Sequence, residues 1–457
     1  MVKFLMTDAH QNLAPLPTDD TLPRRNGDFP TMTAALEYAA TGKRGFNFYD
    51  GRGDLTEVLT FKNLMLGSQE IGRKISASSI GKGDRVALIA ETSSDFLNFF
   101  FGCQYAGALP TPLPLPTTFG QREGYVAQLA LQMKSCSASA VICPHYMKSL
   151  VTEAAKKVKT VTFCGTSEEF VESVDGEGEL FEPKPEDVAY LQYSSGSTRF
   201  PHGIIVTHAS LMANCHGISE HGVKLREGDR CVSWLPFYHD MGLVGTVLAC
   251  VSSQVTTDYI ATEDFARRPM TWLTLISRNK GTVSYSPTFG YDICARRVSD
   301  SMLKGLDLSS WRGAGIGADM IQPDVMAAFA KRFKKAGYRA TSFVPSYGLA
   351  ECTLAVSFMP LETGIVTDLV DERILSGELT FEDLSAEKKK KRRYHGAVPM
   401  RKVVNCGKPL PEFEVEIKGP GGSVLPDKEI GRIFVRGASA SKIKSPSLLL
   451  VIQMAFS

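Results

Sequence analysis

The sequence predicts an α/β protein of layered helices around a largely parallel sheet. Three observations carry this. Short apolar runs that read as buried strands recur along the first half, at 83–90, 138–143, 158–163 and 188–193. Stretches of helical spacing alternate with them, at 33–40, 61–76, 96–106 and 145–158. Several strands then empty into loops of small or polar residues, the place where ligands gather in open α/β sheets. At 457 residues the chain exceeds one ordinary core, so two or more subdomains are expected.

In order, the first thirty residues are polar and proline-bearing and read as an extended arm. The helix at 96–106 is aromatic-rich and stops at Gly107. Pro110, Pro112, Pro114 and Pro116 deny the next stretch a regular helix or a central strand, so a stiff crossover at the core's edge is expected. Pro183 and Pro185 mark a loop boundary. The strand 188–193 then delivers Ser194, Ser195, Gly196, Ser197 and Thr198, and a second apolar run follows at 203–207. Small residues let backbone N–H groups converge on phosphate oxygens, and hydroxyls add uncharged donors. The same composition also reads as an ordinary Ser/Gly turn. Further on, a helix is expected at 208–217 and a strand at 229–236 leading into His239-Asp240-Met241-Gly242. A strand at 282–286 precedes Pro287 and Phe289. Residues 313–318 precede a helix at 322–336, and a strand at 341–345 delivers Ser346 to Glu351.

Composition excludes several classes. With 51 basic and 49 acidic residues the net charge is +2, too small for a global field toward nucleic acid or membrane. The 10 cysteines form no CxxC pair, as expected of reduced core thiols in a cytoplasmic protein. Neither a signal peptide at the start nor an apolar run of bilayer length is visible, so no stable membrane insertion is expected. Gly313, Gly315 and Ala318 match a dinucleotide spacing, but 308–312 makes a poor strand and no acidic residue follows at the right distance. No phosphate-loop NTPase signature is present. The run Lys388 to Arg393 reads as a nuclear signal, a nucleic-acid patch or a solvated face, and nothing else in the chain supports a nucleic-acid partner.

Five segments then occur in one order: 193–203, 234–242, 317–319, 347–351 and 431–437. In this they resemble the adenylate-forming superfamily of acyl-CoA synthetases, luciferases and peptide-synthetase adenylation domains. Leu191 to Thr198, Pro236 to Leu243, Phe101 to Ala108 and Tyr347 to Leu354 are most similar to the fatty acyl-AMP ligases within it. Residues 364–403 resemble the insertion that marks those ligases and hinders the lid rotation needed for thioester formation; a plain surface loop is the alternative. The resemblance implies a large N-terminal domain of the adenylate-forming fold, with layered α/β subdomains and a small β-barrel-like subdomain. The division expected is 1–180 and 181–354 for two α/β subdomains, 355–404 for the insertion, 405–437 for the β-rich part and 438–457 for an aberrant tail.

By the same resemblance the substrates are ATP and a fatty acid, with Mg²⁺, and an acyl carrier protein receives the product. Ser194, Ser195, Gly196, Ser197 and Thr198 would cradle the phosphates, with Thr198 and Glu351 placing the metal. Tyr347, beside Gly348, would stack on adenine, with Gly317, Ala318 and Asp319 lining the base. His239 would orient the carboxylate, and Met241 and Phe289 would line the acyl tunnel. Three residues depart from the superfamily pattern: Arg199 replaces a glycine, His202 a lysine and Ala350 a threonine. The first two imply a stiffer loop with pH-dependent charge. After Gly437 the family continues into a small mobile lid bearing a catalytic lysine. Here 438–457 does not match it, so the lid is expected to be absent and adenylation impaired. An acyl-CoA synthetase and a non-catalytic nucleotide- or lipid-binding remnant are the competing readings.

Overall fold

A computed structural model describes residues 13–116, 122–193, 203–375, 400–419, 421–426 and 431–440, and the backbone alone of 374–375 and 450–454. Its largest sheet has nine strands, in the order Lys408–Pro409, Ala355–Phe358, Phe343–Gly348, Gly313–Ile316, Val283–Ser286, Arg230–Ser233, Thr256–Ile260, Gly45–Tyr49 and Leu55–Thr60. The six inner strands run parallel and the outermost pairings are antiparallel. Thr256–Ile260 is buried at every position, as a parallel strand covered on both faces must be. Strands 45–49 and 55–60 lie at one edge, so this sheet draws on the first 180 residues as well as on later ones.

One face of this sheet is packed with aromatic rings. Trp272 stands 5.5 Å from Tyr291 and 5.2 Å from Trp311, edge to face. Trp272 donates its indole N–H to Ser284 Oγ at 2.8 Å, which fixes Ser284 on that face. Strand alternation therefore turns Val283 and Tyr285 to the other face, where a cavity lies. Gly315 sits beside Tyr285 in the ladder, and a Cβ there would come within 1.9 Å of the Tyr285 ring. Gly315 thus makes room for a side chain rather than for a dinucleotide.

A second sheet, wholly parallel, has the order Leu109–Leu113, Arg85–Ile89, Ala138–Ile142 and Phe163–Gly165. The proline run forms its edge strand, where the expectation was a crossover. An edge tolerates Pro110 and Pro112 because one side of the strand needs no N–H donors. The strand expected at 158–163 begins only at Phe163, since Val158 to Thr162 is spent on a turn in which the Val161 N–H reaches Val158 O at 3.3 Å.

Three smaller elements complete the description. Val188–Tyr193 pairs antiparallel with Gly203–Thr207. Thr367–Asp371 pairs with Met400–Val404 as the stem of the expected insertion. Phe413–Lys418, Gly431–Gly437 and Leu450–Met454 form an open three-stranded antiparallel sheet where a barrel-like element was expected. The expected aberrant tail starts inside the fold, for Ser439 is fully buried. No helix among the described residues is long and apolar enough to cross a membrane.

Candidate active site

The cavity measures about 1190 Å³ and opens at the carboxyl ends of the parallel strands. His239, Met241, Gly317, Ala318, Asp319, Tyr347, Gly348 and Glu351 all stand in its wall. Loops far apart in the chain meet here because each follows a strand of one sheet.

His239 is held by a turn that only glycine permits. A Cβ at Gly242 would lie 2.2 Å from Pro236 O, so a larger residue would force the chain apart. The His239 carbonyl accepts the Leu243 N–H at 2.9 Å and starts a short helix that continues as a π-helical turn over Leu243–Leu248. Asp240 Oδ1 lies 2.7 Å from His239 Nδ1 and also accepts the Met241 N–H at 2.7 Å. Burial opposes charge on the imidazole, but the field and hydrogen bond of Asp240 outweigh it and raise its pKa above the ordinary value. Nε2, the ring atom Asp240 does not engage, is the one left for a substrate.

The hydroxyl loop is tied to this turn at its base. Gln192 donates to Tyr238 O at 2.8 Å, and Tyr193 pairs directly with Gly203 across the ribbon. Ser194, Ser195, Gly196, Ser197, Thr198, Arg199 and His202 lie outside the described residues.

Elsewhere in the wall, Ala318 adopts the left-handed backbone region at φ 68°, a strained choice for alanine. Asp319 Oδ1 accepts the Thr288 N–H at 3.2 Å and so caps the helix Thr288–Arg297. Burial pushes the Asp319 carboxyl upward, with the Thr288 bond partly opposing. Tyr347 is buried, which raises its phenol pKa. At Gly348 the backbone of Leu354 passes so close that a Cβ would meet its carbonyl at 1.9 Å. The turn that follows carries Glu351, half-buried, and then Thr353 at φ 71°, a rare conformation for a β-branched residue.

Two partners hold that turn. Asn214 donates to Ala355 O at 2.8 Å and accepts the Ala355 N–H at 3.0 Å. The same amide donates to Ser439 Oγ at 3.1 Å, and Thr353 Oγ1 donates to Ser439 O at 3.0 Å. Opposite them, the insertion stem supplies another wall through Arg401, Lys402, Val403 and Val404, with Lys402 Nζ 3.0 Å from Asp324.

Phe289 does not join the site. Its ring is 50% exposed, lies against Trp234 at 5.6 Å and is not part of the cavity wall. The strand before it ends with Ser284 and Ser286 toward the aromatic face, and Pro287 starts the helix on that side. Sequence reasoning also missed Asp240, which was visible beside His239. It missed Asn214 and Ser439 with no signal to find them, since their bonds join residues 141 and 225 positions apart.

Magnesium needs only one or two carboxylates when phosphate oxygens and waters complete its shell. No group of three or more His, Cys, Asp or Glu able to hold a metal exists among the described residues. Glu351, in the cavity wall, is one hard oxygen ligand of the kind a triphosphate-bound magnesium takes.

The family model for AMP-binding enzymes matches residues 36–443. The chain belongs to that family. This AMP-binding enzyme is 43% identical, over 427 residues, to a Caulobacter vibrioides protein provisionally named an acyl-CoA synthetase, covering 93% of this chain and 72% of that one. It is 33% identical to the long-chain-fatty-acid–AMP ligase FadD32 of Mycobacterium marinum, over 78% of this chain and 55% of that one. A solved structure from a study of fatty acyl-adenylate ligases of E. coli and L. pneumophila superposes with a TM-score of 0.85 at 44% identity, over 92% of this chain and 74% of that one. The AMP-binding enzyme thus has the adenylate-forming fold, with α/β layers and mixed sheets.

Proposed function

We propose that this enzyme activates a fatty acid as its acyl-adenylate and passes the acyl group to the phosphopantetheine arm of an acyl carrier protein. A carboxylate is a poor electrophile because oxide is a poor leaving group. Attack by a carboxylate oxygen on the α-phosphorus of ATP forms the acyl–O–P bond and breaks the bond to the β-phosphate oxygen, releasing pyrophosphate. The protein's task is to hold the two substrates in line and to neutralise charge.

The observation that carries this reading is one cavity whose wall brings His239 together with polar groups, Asp319, Tyr347 and Glu351, and with apolar ones, Val223, Leu225 and Met241. Tyr347 would offer a face for adenine beside Gly317 and Ala318. Ser194 to Thr198 follow directly from the strand tied to Tyr238, and would meet the phosphates. Asp240 favours a protonated His239, and an imidazolium Nε2–H orients a carboxylate by a charge-assisted bond. Magnesium, held by Glu351 and Thr198, would supply charge neutralisation on the phosphates. Met241, in the cavity wall, would face the acyl chain. The insertion stem in the wall supports the carrier-protein acceptor over coenzyme A, whereas the Caulobacter relative's name favours acyl-CoA formation.

The test is ATP–pyrophosphate exchange across a fatty-acid series. Exchange that depends on the acid is expected. ATP binding without exchange for any acid would replace the proposal with a non-catalytic nucleotide-binding role. Assaying acyl transfer to a carrier protein against acyl-CoA formation separates the two acceptors.

A further inference from the structure

The cavity's inner end has a construction that the activation chemistry does not call for. Cys231 and Cys250, 4% and 3% exposed, both stand in its wall. Both are free cysteines. Cys231 pairs with Val283, which heads its strand and is level with Gly313 on the next one. Gly317, at the nucleotide end, is four residues further along. At ~3.3 Å per strand residue the two ends are ~13 Å apart.

Two residues before Cys231 in the chain, and one before Gly313 on the strand level with it, lies fixed charge outside the cavity wall. Arg312 grips both carboxylate oxygens of Asp229, with Nε to Oδ1 at 3.0 Å. It also donates to Val223 O and Lys224 O, each at 3.0 Å. The Arg226 N–H adds a further bond to Asp229 at 2.8 Å. These bonds pin the loop that sets Val223 and Leu225 into the cavity wall. An alkyl chain pushed past this point would have to strip hydrogen bonds from a buried ion pair, a heavy cost.

Resting on the proposed activation of fatty acids, we infer that Cys231 and Cys250, backed by the Arg312–Asp229 pair, form a stop that receives the methyl end of an unbranched acyl chain and sets its maximum length. Small, soft thiols suit that place: they present an apolar surface without filling the last few ångströms.

The experiment compares the full chain with two variants across a series of saturated fatty acids, reading acid binding and acid-dependent exchange. Cys250→Met lengthens the side chain into the cavity. It should shift the longest accepted acid downward, with a loss of roughly tenfold for each methylene that no longer fits, and leave ATP affinity unchanged. The double variant Cys231→Ala, Cys250→Ala should shift the limit upward. If Cys250→Met does not fold, the double variant, which adds no volume, decides alone. Chain-length profiles that coincide with the parent's overturn the stop while leaving fatty-acid activation standing. A parent protein that binds ATP but takes no fatty acid of any length overturns activation, and the stop with it.

Discussion

Two acid–base pairs, one buried beyond the cavity and one in its wall, are built differently. In the buried pair, Arg312 spends its guanidinium on Asp229 and two backbone carbonyls. In the cavity wall, Asp240 engages one nitrogen of His239 and leaves the other. The first pair is saturated and structural. The second is half spent, and that remainder is what a substrate can use. Hydrogen-bond accounting and burial agree here: the saturated pair is the more buried, and the half-spent pair the more exposed.

The comparison breaks first, and most visibly, at the saturated pair. Arg312→Ala would strand Asp229 as an unpaired buried carboxylate, at a cost of about 3–5 kcal/mol in unfolding free energy by chemical denaturation. If stability is unchanged, the pair is not the scaffold described. Next in size, Tyr347→Ala should weaken ATP binding by about 1–3 kcal/mol in calorimetry through lost base stacking, while Tyr347→Phe keeps most of the affinity. Asp240→Asn should act on titration more than on stability: the His239 pKa falls, and the pH profile of exchange moves to lower pH with it. Proton NMR of the imidazole checks the first part. The smallest effect belongs to Lys402→Ala, which loses an exposed ion pair with Asp324 and should change stability by no more than about 1 kcal/mol.

The two pairs also respond to pH in opposite directions. Burial alone would raise Asp229, but the Arg312 hydrogen bond and charge hold its carboxyl below the usual range. Its contribution is present above the unfolded carboxylate pKa of about 3.9 and is lost as pH falls through the lower folded value. The His239 pKa is raised, so its contribution is full below the unfolded value of about 6.5 and is lost as pH rises through the folded one. Hydrogen exchange followed against pH should show the Arg312–Asp229 pair loosening in acid and the His239 turn loosening toward mild base.

Local pattern revealed what local forces decide. The buried strands, the helix stopped at Gly107 in the left-handed region, and the strand-end loops at 239–242 and 347–351 were legible because apolar spacing and turn chemistry act over a few residues. The proline run was read as an edge feature, but its pairing was not visible, since the neighbour at Val86 and Leu88 comes from another element. Phe289 was misplaced for a related reason: periodicity does not say which face of a sheet a helix start will lean on. Asn214, Ser439 and the Arg312–Asp229 pair were illegible altogether. Each joins segments far apart in the chain, and a polar residue inside an apolar stretch carries no mark of the partner that will satisfy it.

One feature of the ribbon bears on how such enzymes diversify. Tyr193 and Gly203 face each other directly, so the intervening loop begins and ends at a single rung of the ladder. Residues added or removed beyond that rung leave every pairing below it, from Gln192 with Ile204 to Val188 with Thr207, in place. The segment between these two strands is in this sense a cassette. Natural variation and laboratory grafting can rewrite its chemistry without renegotiating the frame that carries it.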